Sequence, residues 1–266
     1  MSKLLNYLLS GGHIRGQVAV RLHSAVWAYR NIGGKSKSPE MHLLNYFDLN
    51  GRIAIDVGAH AGNWAIELAR RVGPRGLVLA YEALPHYGGA LSASMRLLRK
   101  PNIRVRVVAV GERPGRVGLR WRSTSNELLT GRTHVEPSAQ ASAGVAEVEM
   151  VSLDQDLATS GIKPTDVAFV KIDVEGAELE VLRGATTLLS EGRPIVYLEA
   201  EPQWLERAGH TVRDLFAEMA RHGYQPKLVG ESELIPTDAH SYVAQYNEGR
   251  AYNDVLFVHP ASCPDN

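Results

Sequence analysis

The chain has 266 residues, 44% hydrophobic and 22% charged, which suits one large or two small soluble globular domains and excludes collagen, coiled coil and wholesale disorder. Its 29 basic and 29 acidic side chains cancel, which argues against a nucleic-acid partner held by phosphate neutralisation. A single cysteine, Cys263, excludes an internal disulfide and a cysteine-rich zinc site, and fits a reducing, cytoplasmic location.

Residues 1–50 read as a somewhat basic helical extension, interrupted at Gly33–Pro39 where glycine loosens the chain and proline stops a helix. The apolar stretch near the N-terminus has no clear cleavage site and is too short to span a bilayer. Residues 1–30 therefore either pack on the protein or touch a membrane surface peripherally. Residues 51–260 form the main domain, and 261–266 a tail.

From residue 52 the pattern alternates. Strands are expected at 52–57, 77–81, 103–110, 167–172, 195–198, 224–229 and 255–258, with helices at 62–72, 84–98, 178–190 and 211–222. Such alternation means an α/β fold: a mostly parallel sheet with helices on both faces, buried on both sides and so built of unbroken apolar runs. Residues 117–121 and 145–151 read as extra strands. The Ser/Thr/Ala/Gly-rich stretch 123–144 between them is long for a connecting loop and reads as a lid. Ser152-Leu-Asp-Gln155 fits a helix capping box.

Ligands of such folds bind outside the carboxyl ends of the strands, so the chemistry is sought there. After the first strand comes Asp56-Val-Gly-Ala-His-Ala-Gly-Asn63, with glycines spaced G-x-x-x-G. Gly58 and Gly62 would let a ligand approach the backbone. The middle glycine of a dinucleotide fingerprint is missing, so the loop suits a nucleoside better than a dinucleotide. Asp56, Gly58, His60, Gly62 and Asn63 are the cofactor-binding candidates here. Taken alone, a histidine such as His60 is more often a capping or packing residue than a catalyst. Glu82, after the second strand, is placed to accept hydrogen bonds from a ribose, or else to cap the next helix.

After the strand at 167–172 comes Lys171-Ile-Asp-Val-Glu-Gly-Ala-Glu178. Clustered carboxylates repel unless a proton or cation joins them. Asp173 and Glu175 are thus the candidates for a general base, or for ligands of a divalent cation. The plainer reading has Glu178 complement a helix dipole and Lys171 pair with a neighbour. Glu199 and Glu201, after the strand at 195–198, either line the same pocket as Asp173 or sit in a solvated turn, and Asn253, before the last strand, either caps or lines the pocket. Asn126, Arg132 and His134 in the long loop are candidate substrate contacts by location alone.

Together Asp56–Trp64, Tyr81-Glu-Ala-Leu-Pro85 and Val170–Glu178 resemble the FkbM family of S-adenosylmethionine-dependent methyltransferases, with Val151-Ser-Leu-Asp154 and Ile195–Glu199 in keeping. The likeness runs from about residue 52 to 258 and leaves out 1–50 and 123–144. It implies a Rossmann-like seven-stranded sheet whose last strand is antiparallel. It also implies that Gly58 and Gly62 wrap the cofactor's amino-acid part and that Glu82 takes its ribose. The implied acceptor is a small molecule or glycan, methylated on a hydroxyl. A nicotinamide-dependent oxidoreductase and a non-catalytic partner-binding module are the alternatives.

Overall fold

The computed structural model describes residues 39–120, 134–135, 145–230, 233–249 and 253–262. The expected helices of residues 1–38 and most of the expected lid, with Asn126 and Arg132, lie outside these residues. Of 123–144, only His134 and Val135 are described, as a short strand.

The main sheet is built from β1 (Ile53–Val57), β2 (Leu77–Tyr81), β3 (Ile103–Arg106), β8 (Val167–Ile172), β9 (Ile195–Glu199), β10 (Gln225–Val229), β11 (Leu234–Pro236) and β12 (Asp254–Val258). Its order is β11-β10-β12-β9-β8-β1-β2-β3. β3, β2, β1, β8 and β9 run parallel, and β12 is antiparallel to both β9 and β10. The seven expected strands are all present, and the short β11 adds an eighth at the edge. The fold is Rossmann-like.

The period-two alternation of a strand divides the sheet between two cores. Ala54, Val78, Ala80, Phe169, Tyr197 and Leu256 face one core, beside α1 (Asn63–Val72) and α2 (Pro85–Leu97). Ile55, Val57, Leu79, Val170, Ile172, Val196 and Leu198 face the other. There they meet α3 (Leu153–Thr159), α4 (Glu178–Arg183) and α6 (Val212–Arg221). Both faces are apolar because both are covered. Pro39–Tyr46 is a 3-10 turn rather than an α-helix, and its Leu43 and Leu44 are fully buried in the first core.

The expected strand 103–110 is split. Ile103–Arg106 pairs with β2, whereas β4 (Ala109–Val110) joins a second sheet with β7 (Val145–Val151), β5 (Gly115–Arg120) and β6 (His134–Val135). At the switch Arg106 is ion-paired with Asp156 of α3, which also accepts a 2.7 Å hydrogen bond from Tyr81 OH. The expected helix 178–190 ends at Arg183 and resumes as a π turn, Leu188–Gly192. A side chain at Gly184 would meet Gly111 O at 2.1 Å, so the backbones cross there. Asp154 then takes the N–H groups of Thr187 (2.7 Å) and Leu188 (2.9 Å). Ser152 caps α3 as its motif suggests, accepting from Gln155 N. Two helices lie beyond the expected pattern: α5 (Pro202–Arg207) and α7 (Ala239–Asn247). No helix among the described residues is long and apolar enough to cross a membrane.

Candidate functional site

A cavity of about 510 Å³ opens at the carboxyl ends of β1, β2 and β8, between the main sheet and the small one. Gly58, His60, Glu82, Asp173 and Glu175 edge it on one side. Val108, Val110, Val117, Leu119 and Met150 form an apolar wall on the other, and Glu180, Trp204 and Arg207 close a third side. Its size falls within the roughly 300–1,000 Å³ of small-molecule sites, and a mostly apolar wall with a few convergent polar groups is their usual chemistry.

The loop after β1 is held from below. Gly58 N and Ala59 N both donate to Tyr81 O, at 3.0 and 2.8 Å. Gly58 has φ +77°, and a Cβ there would lie 1.9 Å from Asp173 O. Gly62 has φ +81°, and a Cβ there would lie 2.5 Å from Leu91 Cδ1. Both glycines thus answer first to the fold: the space a side chain would need is filled by the chain itself. His60 is also left-handed, at φ +42°, and its ring meets Tyr87 edge-on at 5.1 Å. Gly62 and Asn63 start α1 behind the cavity wall.

Glu82 is buried, 7% exposed, and fastens two loops together. One carboxylate oxygen accepts from His60 N at 3.0 Å, the other from Leu84 N at 2.9 Å. Burial pushes its carboxyl up to about 7, against these two backbone donors. A carboxylate has about four acceptor sites, so each oxygen keeps capacity for a ligand hydroxyl.

Beneath the loop sits Lys171, 4% exposed. Its Nζ lies 3.1 Å from Asp173 Oδ2 and 3.6 Å from Asp56 Oδ1, and donates to Gly58 O at 3.1 Å. Asp56 is fully buried and faces Lys171 rather than the cavity. Burial works against the lysine's charge, but Asp173 and Asp56 outweigh it and hold the ammonium above its usual value.

The loop after β8 is folded by Glu178, which is 1% exposed. Glu178 Oε1 accepts from Val174 N (3.0 Å) and Gly176 N (3.2 Å), and Oε2 accepts from Gly176 N at 3.0 Å. Burial raises its carboxyl to about 7. Glu178 therefore shapes the loop that presents Asp173 and Glu175, with Glu175 itself left-handed at φ +57°. Burial, then Asp173, Glu178 and Glu175, push the Glu199 carboxyl well above the carboxylate range. Glu201 accepts from Asn253 Nδ2 at 3.1 Å, so these two pair with each other. No three His, Cys, Asp or Glu side chains among the described residues form a metal-holding group.

The structure adds residues that the strand tips alone do not reveal. Glu180 lines the cavity, with Oε1 2.6 Å from His210 Nε2. Trp204 and Arg207 come from α5, whose sequence signal is Pro202 at the head of Gln-Trp-Leu-Glu-Arg207 shortly after a strand. Val108 and Val110 of the apolar wall come from the strand switch at 107–110, which no local pattern announces; Val117, Leu119 and Met150 stand on β5 and β7.

Residues 56–226 match the Methyltransferase FkbM domain. No curated protein matches the chain significantly. Among solved structures, a methyltransferase FkbM from Methylobacillus flagellatus KT is 17% identical, with a TM-score of 0.48 over 78% of this chain and 43% of that one. The chain thus spans less than half the length of that relative. An O-methyltransferase from Bacillus cereus, solved in complex with SAH, is 14% identical, with a TM-score of 0.45 over 90% of each chain. A precorrin-6y C5,15-methyltransferase from Geobacter metallireducens GS-15 is 13% identical, with a TM-score of 0.42 over 82% of this chain and 84% of that one.

Proposed function

The chain belongs to the FkbM methyltransferase domain family, and on that premise we propose that it moves the methyl group of S-adenosylmethionine to a hydroxyl of a small-molecule or glycan acceptor. The observation that carries this reading is the convergence of Gly58, Glu82 and Asp173 on one cavity at the carboxyl rim of the sheet. Glu82, held at both oxygens by backbone donors, is the group that takes the ribose hydroxyls. Gly58 and His60 border the cofactor's amino-acid part; Asp56, Gly62 and Asn63 fix that loop from behind. The apolar wall excludes water from the reacting groups.

When bound, the sulfonium cofactor supplies an electrophilic methyl group. Asp173 and Glu175 accept the proton that the acceptor hydroxyl gives up as its oxygen gains the methyl, an assistance of about 10²–10⁴-fold. Lys171 and Glu178 hold those two carboxylates in place. The chain's further task is positioning, which brings donor and acceptor atoms to about 3–3.5 Å.

Labelled-methyl transfer to a cell extract tests this reading with the Asp173→Asn variant. Its rate should fall about 100-fold or more with binding of S-adenosylhomocysteine intact. Full activity would reject the base role. Chelator should leave the wild-type rate unchanged; a loss would reassign Asp173 and Glu175 to a divalent cation.

A further inference from the structure

Arg207 ends α5 at the edge of the cavity, with its guanidinium carbon 4.6 Å over the centroid of the Trp204 ring. It makes no hydrogen bond or ion pair among the described residues. The other charged side chains there are the carboxylates of Glu82, Asp173, Glu175 and Glu180, so Arg207 is the one lysine or arginine among the described cavity-lining residues. A guanidinium carbon over a ring face leaves the N–H donors to other partners, and a guanidinium has five of them in a fork that fits a carboxylate or phosphate. The mount is rigid. A Cβ at Gly176 would lie 2.6 Å from Trp204 O, so α5 rests directly on the loop that carries Asp173 and Glu175.

Resting on the methyl-transfer reading, we propose that Arg207 binds an anionic group, a carboxylate or phosphate, of the methyl acceptor. The carboxylates at the strand tips repel such a group, so the acceptor is oriented with its hydroxyl toward Asp173 and its negative charge toward α5. Trp204 lies against the guanidinium and supplies a flat apolar surface beside it.

The same donors could instead meet the cofactor's own carboxylate, and the test separates the two sources. The full chain is titrated with S-adenosylhomocysteine. It is then given S-adenosylmethionine carrying a labelled methyl and the small-molecule fraction of a cell extract, with products resolved on an anion exchanger. The labelled product should be retained as an anion. Arg207→Gln should slow transfer by about tenfold or more, the worth of one charge-assisted hydrogen bond, and leave S-adenosylhomocysteine affinity within about twofold. Arg207→Lys, which keeps the charge and loses the fork, should recover part of the rate. Labelled product in the flow-through, or an unchanged rate in Arg207→Gln, would overturn the proposal. A tenfold loss of S-adenosylhomocysteine affinity in that variant would also overturn it, by assigning the anion to the cofactor. If the wild-type chain binds no S-adenosylhomocysteine, the methyltransferase reading itself fails, which is a separate result.

Discussion

Lys171 Nζ stands 3.1 Å from Asp173 Oδ2, and the same ammonium faces the fully buried Asp56 at 3.6 Å. One cation thereby ties the loop after β1 to the loop after β8, from the side away from the cavity. Removing it strands Asp56 in the interior. Lys171→Met should lower unfolding free energy by about 3–5 kcal/mol in a denaturant titration, because breaking one side of a buried pair leaves an uncompensated charge. Asp56→Asn together with Lys171→Met should recover part of that loss. A single variant as stable as wild type would mean that the pair does not support the site.

The two loop glycines should respond differently to alanine. At Gly58 the added carbon meets a backbone oxygen at 1.9 Å; at Gly62 it meets the end of a leucine side chain at 2.5 Å. Both positions are left-handed, which by itself costs an alanine about 1 kcal/mol or more. A leucine can rotate away, whereas the Asp173 carbonyl cannot move without opening the site. Gly58→Ala should therefore show the larger drop in melting temperature, and should also weaken S-adenosylhomocysteine binding. Equal melting temperatures for the two variants would contradict this.

Glu199 predicts a pH dependence. Its folded-state value lies above the ordinary carboxylate range, chiefly through burial and then through Asp173, Glu178 and Glu175. Between those two values the folded chain holds a proton that the unfolded chain has released, so stability falls as the pH rises. Glu199→Gln has no such proton to lose. Its melting temperature relative to wild type should rise from pH 5 to pH 9. A constant difference across that range would show that Glu199 carries no such proton.

The parallel sheet was legible because strands covered on both faces must be apolar throughout, as at Ile195–Leu198. The acidic loop at 173–178 was legible because so many carboxylates rarely crowd together without purpose. The function of its members was less so. Glu178 read as a helix-dipole partner, yet it folds the loop, because that depends on where Val174 N and Gly176 N point. Gly58 and Gly62 read as room for a ligand, yet Asp173 and Leu91 take that room, and neither neighbour is near in sequence. Lys171 is expected to pair with a neighbour; the fold supplies Asp173 from the loop just after its own strand and adds Asp56 from another strand. Arg207 and Trp204 were missed because one short helical turn has too few residues to show a periodicity.

The measurement that bears most directly on the cavity is a calorimetric titration of the full chain with S-adenosylhomocysteine, in wild type and Glu82→Ala, at pH 8 and pH 6. Burial pushes the Glu82 carboxyl up to about 7, and it accepts best when ionised, so wild-type affinity should be about tenfold weaker at pH 6. Glu82→Ala should bind weakly at both values and lose that dependence. Absence of wild-type binding, or a Glu82→Ala variant with unaltered affinity, would contradict a nucleoside cofactor held by this glutamate.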